Sequence, residues 1–140
     1  MFNRFNLKKF AKDTSGQFSI LFAVGASVIM LGTAVAVDTA AVQKTKTRLY
    51  DVADAAALAG AIAAETGPTQ RVKVVEDYIA ANSGPKLNAL INGNPTIRFD
   101  DVRKEVTVSF DIESNTLFAG VLGKKKIPVN ATSVAVYGQS

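Results

Sequence analysis

The sequence predicts an α+β protein: a long N-terminal membrane-spanning helix continuing into a stalk, then a second helix and a small antiparallel sheet of about three strands. Three observations carry this reading. Residues Phe18 to Val37 hold no charge, an alanine-rich stretch without proline follows them to Thr66, and Val106, Val108, Phe110 and Ile112 alternate with polar residues. The boundaries that follow are a basic leader (1–16), a span (17–37), a helical stalk (38–66) and a small exported module (67–140).

The uncharged run FSILFAVGASVIMLGTAVAV is twenty residues long. At about 1.5 Å per residue it matches the roughly 30 Å hydrocarbon core of a bilayer. A chain of 140 residues has too little left to bury such a helix as a soluble core. A cleaved secretory signal is the alternative, since Ala34, Val35 and Ala36 form an A-x-A-like site, but the run exceeds the about 7–15 apolar residues of a signal core. Arg4, Lys8, Lys9 and Lys12 precede the run against Asp13 alone, and Asp38 follows it. The positive-inside rule then places the N-terminus in the cytoplasm and everything after Val37 outside the cytoplasm, in the periplasm or extracellular space, as a single-pass membrane protein. Gly25, Ser27 and Gly32 put small residues on the span, where another span can approach closely.

Beyond Asp38 the helix continues until Gly67 and Pro68 stop it. Val42, Thr45, Leu49, Val52, Ala56, Ala59 and Ala63 recur at alternating steps of three and four, a heptad-like seam for another helix. Two partners satisfy it equally on sequence: the chain's own C-terminal module, or the same segment of neighbouring copies in a homo- or hetero-oligomer. Small seam residues beyond Val52 bury little area each, so the seam alone associates weakly.

In the module, Pro68 followed by Val72, Val75 and Ile79 predicts a helix over Thr69 to Ala81, ended by Asn82, Ser83, Gly84 and Pro85. A turn-rich stretch leads to an extended piece at Thr96 to Phe99. Asp100 to Lys104 closes a hairpin onto the strand that carries Val106 to Glu113. A short apolar piece, Thr116 to Leu122, ends at Gly123 and the triplet Lys124 to Lys126. The last strand runs from Ile127 to Tyr137, and its apolar phase shifts between Ala131 and Val134, which predicts a bulge or burial on both faces. So thin a core needs the stalk helix laid against the sheet.

The chain has no cysteine, histidine or tryptophan, which removes disulfides, thiolate and imidazole metal sites, and acid–base or nucleophilic mechanisms that need His or Cys. Neither phosphate-binding glycine loop, G-x-x-x-x-G-K-[ST] or G-x-G-x-x-G, occurs. Asp111 and Glu113 share the wet face of a strand, a spacing that could place two carboxylates side by side for a cation or acid–base work, and read first as a solvated surface. No catalytic residue, metal or cofactor is expected. Of the formal net charge of +4, the first sixteen residues carry +3, from Arg4, Lys8, Lys9 and Lys12 against Asp13. The basicity is an orientation signal, and no nucleic-acid partner is expected.

The N-terminal half resembles the TadE/TadG-like family of Flp (tight adherence) pilus-assembly proteins. The resemblance rests on the basic leader before Gly16, Asp38 closing the apolar run, and Leu49 with the run Ala53, Asp54, Ala55, Ala56, Ala57, Leu58, Ala59, which is similar to the family's D-A-A-A-L-A signature. It implies a pilin-like fold, a membrane location, and other pilus or secretion-system proteins as partners. The fifth residue beyond Gly16 is Leu21 rather than the glutamate of processed pilins, so the resemblance is to short, uncleaved TadG-like members. The function implied is a non-enzymatic, membrane-anchored component of pilus assembly. A subunit that itself polymerises into a surface filament, and a membrane-tethered module that binds an envelope ligand through the wet face of its sheet, where Asp111 and Glu113 lie, are the competing expectations.

Overall fold

The computed structural model describes residues 16–91, 95–123 and 125–138. Helix α1 spans Gln17–Ile62 without a break and α2 spans Pro68–Ile91. Three strands follow: β1 (Thr96–Asp100), β2 (Glu105–Asn115) and, after a 3-10 turn at Ala119–Leu122, β3 (Lys126–Val136). The sheet is antiparallel throughout, in the order β1-β2-β3. This is the α+β architecture the sequence predicts.

At about 1.5 Å per residue, the 46 residues of α1 reach about 69 Å. Its two parts meet different surroundings. From Phe18 to Val37 the large apolar side chains are exposed on every side, from Phe18 at 77% to Val37 at 44%. Three hydroxyls in and beside this stretch are satisfied within the helix: Ser27 donates to the Ala23 carbonyl at 2.8 Å, Thr33 to Ile29 at 2.9 Å and Thr39 to Val35 at 2.8 Å. Hydroxyls that close on their own helix in this way are compatible with hydrocarbon. Among the described residues it is the one helix long and apolar enough to cross a membrane.

From Asp38 upward, one face of α1 lies against β3, β2 and α2. Leu49, Ala53, Ala56 and Ala57 are at most 1% exposed there and join Val75, Ile79, Val106, Val108, Phe110, Val129 and Ala131 in a single core. The helix stops four residues short of the expected Thr66. Its end tightens into i→i−3 bonds, Ala64 N–H to the Ala61 carbonyl and Thr66 N–H to Ala63, ahead of Gly67 and Pro68.

Two expectations for the module change. The polar stretch after Ala81 is not all turn: α2 kinks at Gly84 (φ 68°, ψ 166°) and resumes at Pro85, burying Leu87 and Ile91. Pro85 forbids a helical residue before it, and glycine takes the positive φ without strain, so the chain turns once and then restarts a helix with proline in its first turn. The phase shift in β3 produces neither a bulge nor two buried faces. Its register with β2 runs unbroken from Lys126 against Asn115 to Val136 against Glu105, which leaves Val134 and Val136 on the open face, each 52% exposed. The tight turn at the β1–β2 corner forms as expected, with the Asp100 carboxylate accepting from the N–H groups of Val102 and Arg103 at 3.0 and 2.9 Å.

Among the described glycines, Gly60 is the most tightly enclosed. A Cβ there would sit 2.8 Å from Val75 Cγ2 and 2.9 Å from Val106 Cγ1, both on side chains with stiff χ1. Gly60→Ala gains about 1 kcal/mol of helix propensity against about 1–3 kcal/mol of overpacking, so a net loss of up to about 2 kcal/mol is expected. Thermal unfolding in detergent micelles checks this. Gly32→Ala, where an added methyl meets nothing within 4 Å, should not lower the transition.

Candidate functional site

A carboxylate at the end of an uncharged helical stretch is expected to face water. Asp38 is instead 4% exposed. Its Oδ1 accepts the backbone N–H of Leu117 at 2.8 Å, and its Oδ2 accepts those of Phe118 at 2.9 Å and Ala119 at 2.6 Å. Three consecutive amides at the start of the 3-10 turn have no partners within that turn, and one side chain from α1 satisfies them all. Burial raises the Asp38 carboxyl, but the amides of Ala119, Leu117 and Phe118 outweigh it and hold the group below its ordinary value. The carboxylate straps the segment between β2 and β3 to the first charged position after the apolar run.

Above the strap, α1 presents two faces. Leu49, Val52 and Ala56 are buried and Val42 half-buried in the core shared with the module of the same chain; Ala63 is buried and Ala59 half-buried, outside that core cluster. Within the run Ala53 to Ala59, Ala53, Ala56 and Ala57 point inward, whereas Asp54 is exposed and Leu58 is 60% exposed. Tyr50, Asp54, Leu58 and Ile62 follow one another every four residues on the outer side, with Ile62 80% exposed. Gly25 and Gly32 have no atom within 4 Å of an added Cβ, and neither does Gly16. Arg4, Lys8, Lys9 and Lys12 lie outside the described residues.

At the opposite end of the module a second polar cluster ties α2, the β1–β2 turn and the C-terminal segment together. Arg71 donates through both terminal nitrogens to Asp101, at 2.7 and 3.1 Å, and Tyr137 donates its hydroxyl to the same carboxylate at 2.7 Å. The Arg71 guanidinium lies 4.3 Å from the centre of the Phe99 ring. The hydrogen bonds from Arg71 and Tyr137 hold the Asp101 carboxyl at about 2. Asp101 is therefore an anchor between elements, where sequence reading takes it as a turn residue alongside Asp100.

The Asp111 and Glu113 pair does not converge on a site. Both are exposed, and Glu113 is committed to Lys126 Nζ at 2.6 Å. Among the described residues no cluster of three or more acidic side chains is placed to hold a metal ion.

Residues 16–64 match the Tad family, described as putative Flp pilus-assembly TadE/G-like. The chain carries a Tad-family segment. The match connects it with assembly of Flp pili. No curated protein matches the chain. No solved structure matches it either. The Tad segment begins at Gly16 and ends at Ala64, so it coincides with α1 and its closing turn, and the module packed on it lies beyond the matched residues. Asp38 belongs to the Tad segment, and the three amides it holds belong to the module.

Two outcomes test these clusters. Asp38→Asn leaves one acceptor oxygen for three donors, so amide hydrogen exchange at Leu117, Phe118 and Ala119 should accelerate while that of Phe110 in the centre of β2 does not change. Because the folded pKa of Asp101 is depressed, its contribution to stability is complete above the ordinary carboxylate value and is lost as pH falls through about 2. Asp101→Asn should therefore lower the unfolding midpoint at neutral pH, by an amount that shrinks towards pH 2, as followed by circular dichroism.

Proposed function

We propose that this protein is a non-enzymatic, single-pass inner-membrane component of Flp-type pilus assembly, acting as a minor pilin-like subunit or assembly factor. The observation that carries the reading is the division of α1 at Asp38. Below it the Tad segment exposes apolar side chains all round, and above it one face holds a folded module while the other stays open. Such a helix suits an anchor that presents the module at a fixed height outside the membrane. Residues 1–16 would form the cytoplasmic leader, with Arg4, Lys8, Lys9 and Lys12 setting the orientation. The module from 67 to 140 would then face the periplasm or the exterior.

The open row Tyr50, Asp54, Leu58 and Ile62 continues the exposed surface of the span, and it is where the long helix meets other pilus proteins or further copies of the chain. A chain without histidine or cysteine, whose exposed carboxylates are dispersed or ion-paired, fits a structural role better than a catalytic one. The exposed span with Gly25 and Gly32 also suits a subunit that itself polymerises with α1 in the filament core.

Deleting the gene should reduce the number or attachment of surface filaments. Filaments of normal number, length and attachment would refute the assembly role. In the complemented strain, Leu58→Asp with Ile62→Asp should leave the module folded, by thermal melt, and fail to restore filaments; full restoration would remove the partner role of this face. Immunodetection of the chain along sheared filaments separates the polymerising subunit from the assembly factor.

A further inference from the structure

The segment between β2 and β3 is a closed lobe. Thr116 N–H bonds the Lys125 carbonyl at 3.1 Å and shuts its neck, and the Asp38 carboxylate holds its first turn. At its tip Leu117 is 74% exposed and Phe118, next to it, 46%. The open face of β2 is polar, presenting Glu105, Thr107, Ser109, Asp111 and Glu113, and the exposed large apolar residues on that face of the sheet are Val134 and Val136 on β3, away from the lobe. Single exposed apolar residues are ordinary, as Val102 is at the far hairpin, but an adjacent leucine and phenylalanine on a strapped loop form a patch.

The strap fixes where that patch lies. Asp38 is the first charged residue after the uncharged run, and large apolar residues of α1 below it, among them Leu31, Val35 and Val37, are exposed. If the run fills the hydrocarbon, Asp38 sits within about one helical turn of the headgroup boundary, and the lobe it holds is the lowest part of the module. At the neck, Lys125 is exposed and makes no ion pair with any described residue, whereas the next residue, Lys126, is held by Glu113.

We propose that the lobe is a membrane-surface contact: Leu117 and Phe118 dip into the interfacial layer of the bilayer that α1 crosses, and Lys125 meets anionic phospholipid headgroups there. An apolar pair beside a cation is the chemistry of an interfacial anchor. The contact makes a second point of attachment and fixes the tilt of the module about the end of the span, which a helix alone leaves free. It rests on the reading of α1 as a membrane anchor.

The cysteine-free sequence permits a direct test on the full chain. Single-cysteine variants Leu117→Cys, Phe118→Cys, Val102→Cys and Met30→Cys are coupled to an environment-sensitive fluorophore and reconstituted into vesicles containing nitroxide-labelled lipids. One set of vesicles is phosphatidylcholine alone and the other contains phosphatidylglycerol as well. The probes at 117 and 118 should be blue-shifted and quenched by shallow nitroxides, and the probe at 102 should not. With phosphatidylglycerol present, adding Lys125→Glu should lower the quenching at 118 several-fold, with little change in phosphatidylcholine alone. Quenching at 117 and 118 no greater than at 102 overturns the proposal, and indifference to Lys125→Glu in both vesicles overturns its anionic-lipid part. The probe at 30 separates the two readings. If deep nitroxides quench it while 117 and 118 stay unquenched, the lobe contact alone fails; if they do not, the anchor reading fails and takes the lobe contact with it.

Discussion

A three-stranded sheet with one wet face has nothing of its own to cover the other, and here the covering is the small-residue face of α1. Ala53, Ala56, Ala57 and Gly60 lie where the helix approaches the sheet and α2 most closely, and the larger Leu49 and Val52 fill the space below them. Alanine and glycine bury little area each, but they let a helix axis come close enough for Val75, Val106, Val108 and Phe110 to lose contact with water. The module therefore has no core independent of the stalk. Whatever moves the helix moves the sheet.

That dependence gives the long helix two kinds of surface. Below Asp38 its surface suits hydrocarbon, with the Ser27 and Thr33 hydroxyls closed on the backbone. Above Asp38 its surface is amphipathic in the ordinary way, with a buried face and a wet one. Asp38 stands at the change and belongs to both sides: it is the first charge beyond the apolar run, and its carboxylate is consumed by the three amides of the lobe. The Asp38 strap and the Arg71–Asp101–Tyr137 cluster at the far corner bracket the apolar core between them. Each uses a carboxylate to connect segments distant in the chain, 79–81 residues apart for Asp38 and 30–36 for Asp101.

Much of this was legible in the residues. The span, the helical continuation, the hairpin corner at Asp100 and the alternation of β2 are local patterns of charge, propensity and period. The segment of α2 beyond the kink was legible too, since Pro85 with Leu87, Leu90 and Ile91 is a helix start followed by helical spacing, although Gly84 and Pro85 read equally well as a loop. An isolated glycine in an alanine-rich helix, as at Gly60, signals a close approach without saying to what. Val134 and Val136 misled because apolar residues in a strand suggest burial, and only the unbroken pairing with β2 puts them on the open face.

By itself the sequence determined which stretches are apolar, charged or helical, and hence a membrane-length helix, its polar boundary at Asp38 and a sheet with one apolar face. Those properties depend on neighbours a few residues away. Tertiary structure decided what each face meets: that the seam of α1 covers its own sheet, that Leu58 and Ile62 turn outward while Ala56 and Ala57 turn in, and that Asp38 receives the amides of Leu117 to Ala119. A helical period fixes the angle between two side chains on one helix. It carries no information about which distant segment will arrive opposite either of them, because that depends on the packing of the whole core.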